Sequence, residues 1–175
     1  MEIARIASDY VGPHEVATIY LATFDPGHLH QAGIGQIHDQ LRQRLNRAGF
    51  RGAILIGGTE VAWKDGRWLL HVHLLAIGVE KADWAELRSR WPRVGVAIPI
   101  KVDQLKDVER QVSYLQKFVT YHRPGARGVS GPGRPYPLPP AQLEELITWW
   151  SQYSFADFLF AYGARRRATR IVVDV

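Results

Sequence analysis

The sequence predicts an α+β fold, a central antiparallel sheet of about four to five strands with helices packed on it. Three observations carry this. Stretches rich in β-branched and aromatic residues alternate with stretches whose apolar residues recur at helical spacing. Read in order, they give β-α-β-β-α-β-α, which suggests helices layered on one sheet. An Asp-Gly pair inside "KDGR" (64–67) joins the second and third strands as a hairpin, so those two run antiparallel.

Each element has a local reason. "EVATIYLATF" (15–24) has strand composition, and "DPGH" breaks it. Between Gln31 and Ala48 the residues Ile34, Ile37, Leu41 and Leu45 fall near helical spacing, and Gly49 stands where a helix would stop. "FRGAILIGGTEVAW" (50–63) and "WLLHVHLLAIGV" (68–79) read as the hairpin strands. "KADWAELRSRW" (81–91) reads as a helix ended by Pro92, and "VGVAIPIKV" (94–102) as a strand whose Pro99 places it at an edge or bulge. Over 105–119 a helix is expected, with Val108, Val112, Leu115 and Val119 as its apolar stripe. The Pro/Gly/Arg-rich segment 122–140 is expected to be a loop, and 141–163 to be helical in two segments. A basic run, "ARRRATR" (164–170), then leads to the tail.

Composition sets outer bounds. The 175 residues are expected to form a single domain, 1–175, with a sizeable core. No apolar run approaches the ~20 residues of a membrane span. The chain has no cysteine, which removes disulfides, thiolate metal sites and cysteine nucleophiles. "MEIARIASDY" lacks a basic segment followed by an apolar one, so a cytoplasmic protein with no membrane partner is expected. With 22 Lys and Arg against 17 Asp and Glu, the net charge of +5 permits a polyanionic partner without requiring one.

His71 and His73 interrupt an apolar strand. Residues at i and i+2 share a face of a strand, so the two imidazoles project together and Val72 points the other way. Neutral imidazoles side by side are ligands for one divalent ion. Glu60 lies on the partner strand; a turn centred on Asp65-Gly66 sets it opposite Leu70 or His71, depending on register. The set Glu60, His71 and His73 is thus a candidate open site for Mg2+ or Mn2+. Paired histidines also occur in ordinary cores, and "GHLH" (27–30) reads as loop residues.

Tyr114 and Lys117 are three apart on the expected 105–119 helix, so they share a face. A tyrosine with a basic neighbour can act as a nucleophile on a polarised phosphate. A tyrosine half-packed on the core beside a solvated lysine is the plainer alternative.

Taken together, Glu60, then His71-Val72-His73 on a strand, then Tyr114-x-x-Lys117 resemble the HUH endonucleases of the Rep class, initiators of rolling-circle replication. The resemblance spans roughly residues 15–121, the expected core of the domain. It implies a ferredoxin/RRM-like HUH nuclease fold and metal-dependent nicking and rejoining of single-stranded or hairpin DNA at a replication origin. In that scheme His71, His73 and Glu60 hold the metal. Tyr114 attacks the scissile phosphodiester to give a 5′-phosphotyrosyl enzyme and a free 3′-OH, and Lys117 positions the phosphate. "IYLATF" (19–24) is a poor match to the family's first motif. With no Gly-x-x-x-x-Gly-Lys-Ser/Thr run, unwinding would fall to a host helicase. A single-tyrosine HUH transposase and a non-catalytic DNA-binding member are the alternatives.

Basic side chains near flexible sequence are candidates for gripping the DNA strand. Here they are Arg123, Arg127 and Arg134, with the aromatic Tyr136, in the loop and Arg165, Arg166, Arg167 and Arg170 in the tail; each arginine also reads as an ordinary solvated one. Trp149 and Trp150, with Phe155, Phe158 and Phe160, are expected to anchor the C-terminal helices on the core, and Tyr121 to be structural.

Overall fold

In the computed structural model, residues 14–106, 111, 115, 119–122, 135–167 and 170–173 are described, with the backbone alone for His122, Arg166, Arg167 and Arg170. β1 (His14–Phe24) passes through a 3-10 turn (Leu29–Gln31) into α1 (Ile34–Arg47). β2 (Ile54–Lys64) and β3 (Arg67–Ile77) form the expected hairpin, and α2 (Lys81–Ser89) leads to β4 (Ile100–Gln104). This is a split β-α-β-β-α-β unit. β5 (Tyr121–His122) and β6 (Tyr136–Pro137) pair with each other. After them come α3 (Pro140–Trp150), a second 3-10 turn (Phe155–Phe158), β7 (Leu159–Tyr162), β8 (Ala164–Arg167) and β9 (Arg170–Val173).

The main sheet has five strands in the order β4-β1-β3-β2-β7, and every neighbouring pair is antiparallel. With α1, α2 and α3 among the described residues, the α+β class expected from the sequence is the class observed. The hairpin turn puts Asp65 at φ 51° and Gly66 at φ 79°, and two consecutive positive φ values match the right-handed twist of the strands they join. None of the helices among the described residues is long and apolar enough to cross a membrane.

Strand alternation divides the core. On one face, Ala17, Ile19, Leu55, Val72, Leu74 and Ala76 pack against Leu41 and Leu45 of α1 and Trp84 and Leu87 of α2. Further along that face Val61, Trp68 and Leu70 meet Leu146 and Trp149 of α3. On the opposite face Ile54, Ile56, Leu75 and Ile77 are covered by Leu115 and by Ala164, Ile171 and Val173 of the β8–β9 hairpin.

Several expectations change. The strand read over 94–102 begins only at Ile100, because the Pro99 carbonyl accepts from Tyr20 N–H (2.8 Å) while proline itself has no N–H for the ladder. Within the expected helix 105–119, Gln111 is helical, but Leu105, Lys106, Leu115 and Val119 are not. Leu105 N–H donates to His14 carbonyl (3.0 Å), which carries sheet bonding past β4 into the expected helix start. Segment 122–140 is not all loop, since its two ends pair as β5 and β6.

The C-terminal reading changes most. Only 140–150 is α-helical; "LFAY" is β7, and it extends the main sheet by pairing Leu55–Gly58 of β2 with Leu159–Tyr162. Gly163 then turns the chain at φ 65°, where an added Cβ would overlap the Ala53 carbonyl. The basic run forms a hairpin instead of a tail, and Arg165 pairs with Val172. Trp149, Phe158 and Phe160 are buried as expected, but Phe155 is exposed.

Candidate metal centre

β3 is the middle strand of the sheet, and its odd-numbered residues face away from α1 and α2. His71 and His73 therefore stand on the face that carries Leu75 and Leu115. The hairpin register sets Glu60 directly opposite His71, which settles the choice between Leu70 and His71. The three side chains converge. His71 Nε2 and His73 Nε2 are 3.1 Å apart, and each lies 3.6 Å from Glu60 Oε2. Among the described residues this is the one cluster of three His, Asp or Glu side chains able to share a metal.

Those separations fit a common ion. Donors about 2.1 Å from one metal stand about 3.0 Å apart at octahedral corners and about 3.4 Å apart at tetrahedral ones. The triangle here closes near both values, as one triangular face of a coordination shell. Glu60 and His71 are buried, whereas the His73 side chain keeps 30% of its surface exposed. The group can thus hold a metal ion at a position that solvent or a substrate reaches from the His73 side.

The outer partners aim the nitrogens. His71 Nδ1 is 3.2 Å from the Leu69 carbonyl, which only accepts, so Nδ1–H donates and the lone pair of the neutral ring sits on Nε2. His73 Nδ1 is 2.9 Å from Thr18 Oγ1. When His73 donates from Nδ1, both Nε2 lone pairs point inward beside the Glu60 carboxylate. A cation held between them would satisfy all three groups at once.

Thr18 and Tyr20 were not singled out in the sequence. Both lie on β1, opposite His73 and His71 respectively, and the Tyr20 ring centre is 5.4 Å from that of His71. A bulge between Tyr20 and Ala22 shifts the register immediately beyond them, and bulges of this kind re-aim side chains near functional sites. The i, i+2 spacing of Thr18 and Tyr20 was visible in the sequence. That β1, rather than another strand, borders β3 was not. Gly57 was missed as well: a Cβ there would overlap the His73 carbonyl.

Directly behind Glu60, Thr59 faces the helical side and its Oγ1 lies 2.6 Å from His38 Nε2. Burial, aided by the Arg42 charge, lowers the His38 pKa to about 4, against smaller opposing effects of Asp39 and Asp157. Successive residues of β2 thus serve a buried neutral imidazole on one face and the Glu–His–His cluster on the other.

Tyr114 and Lys117 lie outside the described residues, as do Arg123, Arg127 and Arg134. Leu115, next in sequence to Tyr114, is described and is buried on the same face as the cluster. Arg165 is exposed on β8; Arg166 and Arg167 follow it on that strand. His28 and His30 are exposed around the first 3-10 turn, away from the cluster. Comparison of the chain with protein-family models, with curated proteins and with solved structures finds no match.

Proposed function

We propose that this protein is a metal-dependent endonuclease of the HUH type that nicks and rejoins single-stranded DNA through a 5′-phosphotyrosine. Its substrate is then single-stranded or hairpin DNA at the origin of a rolling-circle element, with a host helicase to open the duplex. One observation carries the reading: Glu60, His71 and His73 converge on the sheet face opposite α1 and α2, and Leu115, next in sequence to Tyr114, is buried on that same face.

A bound Mg2+ or Mn2+ would supply Lewis-acid polarisation and orientation of the scissile phosphate. The chain supplies the rest. His71 and His73 present Nε2, held in that direction by the Leu69 carbonyl and the Thr18 hydroxyl. Glu60 brings negative charge to a buried position, which a cation offsets. Tyr114 forms the phenolic O–P bond while the P–O3′ bond breaks, and Lys117 offsets charge near the phenolate. No high-energy cofactor is needed, because the phosphotyrosyl bond conserves the energy of the phosphodiester.

The test is a denaturing gel of the full chain incubated with Mn2+ and a fully randomised single-stranded library, with an EDTA control. An SDS-resistant, EDTA-sensitive protein–DNA band that Tyr114→Phe loses supports the reading. Persistence of the band in Tyr114→Phe overturns the nucleophile assignment.

A further inference from the structure

Across the cluster face, exposure rises from β2 toward the β4 edge of the sheet. Glu60 on β2 and His71 on β3 are buried, Thr18 and Tyr20 on β1 are half-buried, and Lys101 on the edge strand β4 is exposed. Alternation puts Lys101 on this face. Ile100 and Val102, on either side of it, pack with the core under α1 and α2, so Lys101 points the opposite way. Lys101 pairs with Thr18, and Thr18 pairs with His73. The three form one row across β4, β1 and β3, and the Thr18 hydroxyl lies 2.9 Å from His73 Nδ1.

Two strand spacings, about 10 Å, separate the backbones of Lys101 and His73. The flexible stem of a lysine covers part of that distance and carries a compact charge at its end. The remaining gap suits the next phosphate of a strand whose scissile phosphate sits at the cluster. We propose that Lys101 grips the DNA backbone at the phosphate adjoining the scissile one, so that the strand reaches the cluster over β1 from the β4 edge. This rests on the endonuclease reading above. The grip is the same whichever side of the scissile phosphate the nucleophile attacks.

Lys64 and Arg67 face the same side but lie further off, at the hairpin end. Arg67 is four residues from His71 along β3, about 13 Å, and it stands 3.4 Å from Asp25, which offsets its charge. Asp103 is exposed on the same face as Lys101, two residues along β4. An exposed Lys–Asp pair is worth little in water, so Asp103 does not hold Lys101 back from a phosphate. Lysines on edge strands also discourage pairing with other sheets. That role involves no contact with DNA, and the experiment separates the two.

The full chain with Mn2+ is first allowed to form adduct on the randomised library, and the recovered sequence is made as one labelled oligonucleotide. The rate of adduct formation is then followed against oligonucleotide concentration at several salt concentrations. Lys101→Gln is compared with the wild type, with Lys101→Arg, and with Lys81→Gln. Lys81 is exposed on α2, which packs on the other face of the sheet, so its variant removes an equal charge away from the cluster. One phosphate contact on a single strand contributes about 0.7 to the slope of log affinity against log salt. In Lys101→Gln the slope should fall by that amount, and the half-maximal DNA concentration should rise about fivefold at ~0.1 M salt. The maximal rate and Mn2+ binding by calorimetry should stay as in wild type, and Lys101→Arg and Lys81→Gln should both behave as wild type. A Lys101→Gln variant with unchanged DNA dependence, or an equal loss in Lys81→Gln, overturns the inference and leaves the endonuclease reading standing. Absence of adduct from the wild-type protein removes that reading, and this inference with it.

Discussion

Thr18 Oγ1 stands 2.9 Å from His73 Nδ1, although the two residues are 55 apart in the chain. The contact exists because β1 lies beside β3 with Thr18 opposite His73. When His73 Nδ1 donates to this hydroxyl, the lone pair of the ring lies on Nε2, the nitrogen that faces Glu60. Removing such an outer partner typically costs about tenfold or more in metal affinity. Thr18→Val keeps the shape and deletes the acceptor, so calorimetry should show Mn2+ binding weakened about tenfold, with Thr18→Ser close to wild type. Equal affinity in the valine variant would show that Thr18 does not orient the ring.

Metal should also stabilise the fold. Three groups fixed in register on β2 and β3 can hold an ion that the unfolded chain would hold poorly. At a hundredfold excess of Mn2+ over its Kd, the linkage is worth about 2.7 kcal/mol. Thermal unfolding with and without EDTA should show that gain in the wild type. In Glu60→Gln or His71→Ala the gain should shrink sharply.

How much of this was legible follows from what each residue interacts with. The His71/His73 pairing is a property of strand periodicity alone, and the Glu60 contact needed only the Asp-Gly turn to fix the register. Local sequence carries both. Thr18 and Tyr20 depend on strand order, which arises from non-local packing of α1 and α2 on the sheet. Over β7 the sequence reads as helix, because "FADFLFAY" is apolar and aromatic without clear alternation. Its strand state is imposed by the unpaired edge of β2 and by burial of Phe160 against His38, with ring centres 5.3 Å apart. The β8–β9 hairpin was hidden by its arginines, since charge says little about backbone pairing.

Gly57 supplies a test of the cluster's backbone. It sits opposite Leu74 in the ladder, and a Cβ at this position would overlap the His73 carbonyl and press on the Leu74 backbone. Backbone on a central strand cannot swing aside as a side chain can. Gly57→Ala should therefore displace the strand that carries His73. Its expected cost is on the order of 2 kcal/mol or more in urea unfolding, with weakened Mn2+ binding. A variant of wild-type stability and affinity would show that the strands separate there easily.

Glu145 ties α3 to the sheet. Its carboxylate accepts from Leu29 N–H and Trp68 Nε1–H, both at 2.8 Å. Burial works to raise its pKa, but these bonds, with one from Gly27 N–H, outweigh burial and hold it below the ordinary glutamate range. A depressed carboxylate pKa contributes stability above the unfolded-state value and loses it as pH falls. Glu145→Gln removes the charge and turns a donor toward one of the two N–H groups. The expected loss at neutral pH is about 1–3 kcal/mol by chemical denaturation, with a flatter dependence on pH on the acid side.

His38 gives the chain a second acid sensitivity with a different window. Folded, its pKa is about 4 against an ordinary value of 6.5, because burial between α1 and the sheet disfavours the imidazolium and Arg42 adds to the effect. The unfolded chain takes up a proton below pH 6.5, and the folded chain resists until about pH 4. Stability should therefore fall as pH drops through that interval and level off below it. The full interval is worth about 3 kcal/mol. Urea denaturation at several pH values between 4 and 7, on wild type and His38→Gln, isolates the contribution. The wild-type curve should drop more steeply than the variant's, and parallel curves would show that His38 is protonated in the folded state at no cost.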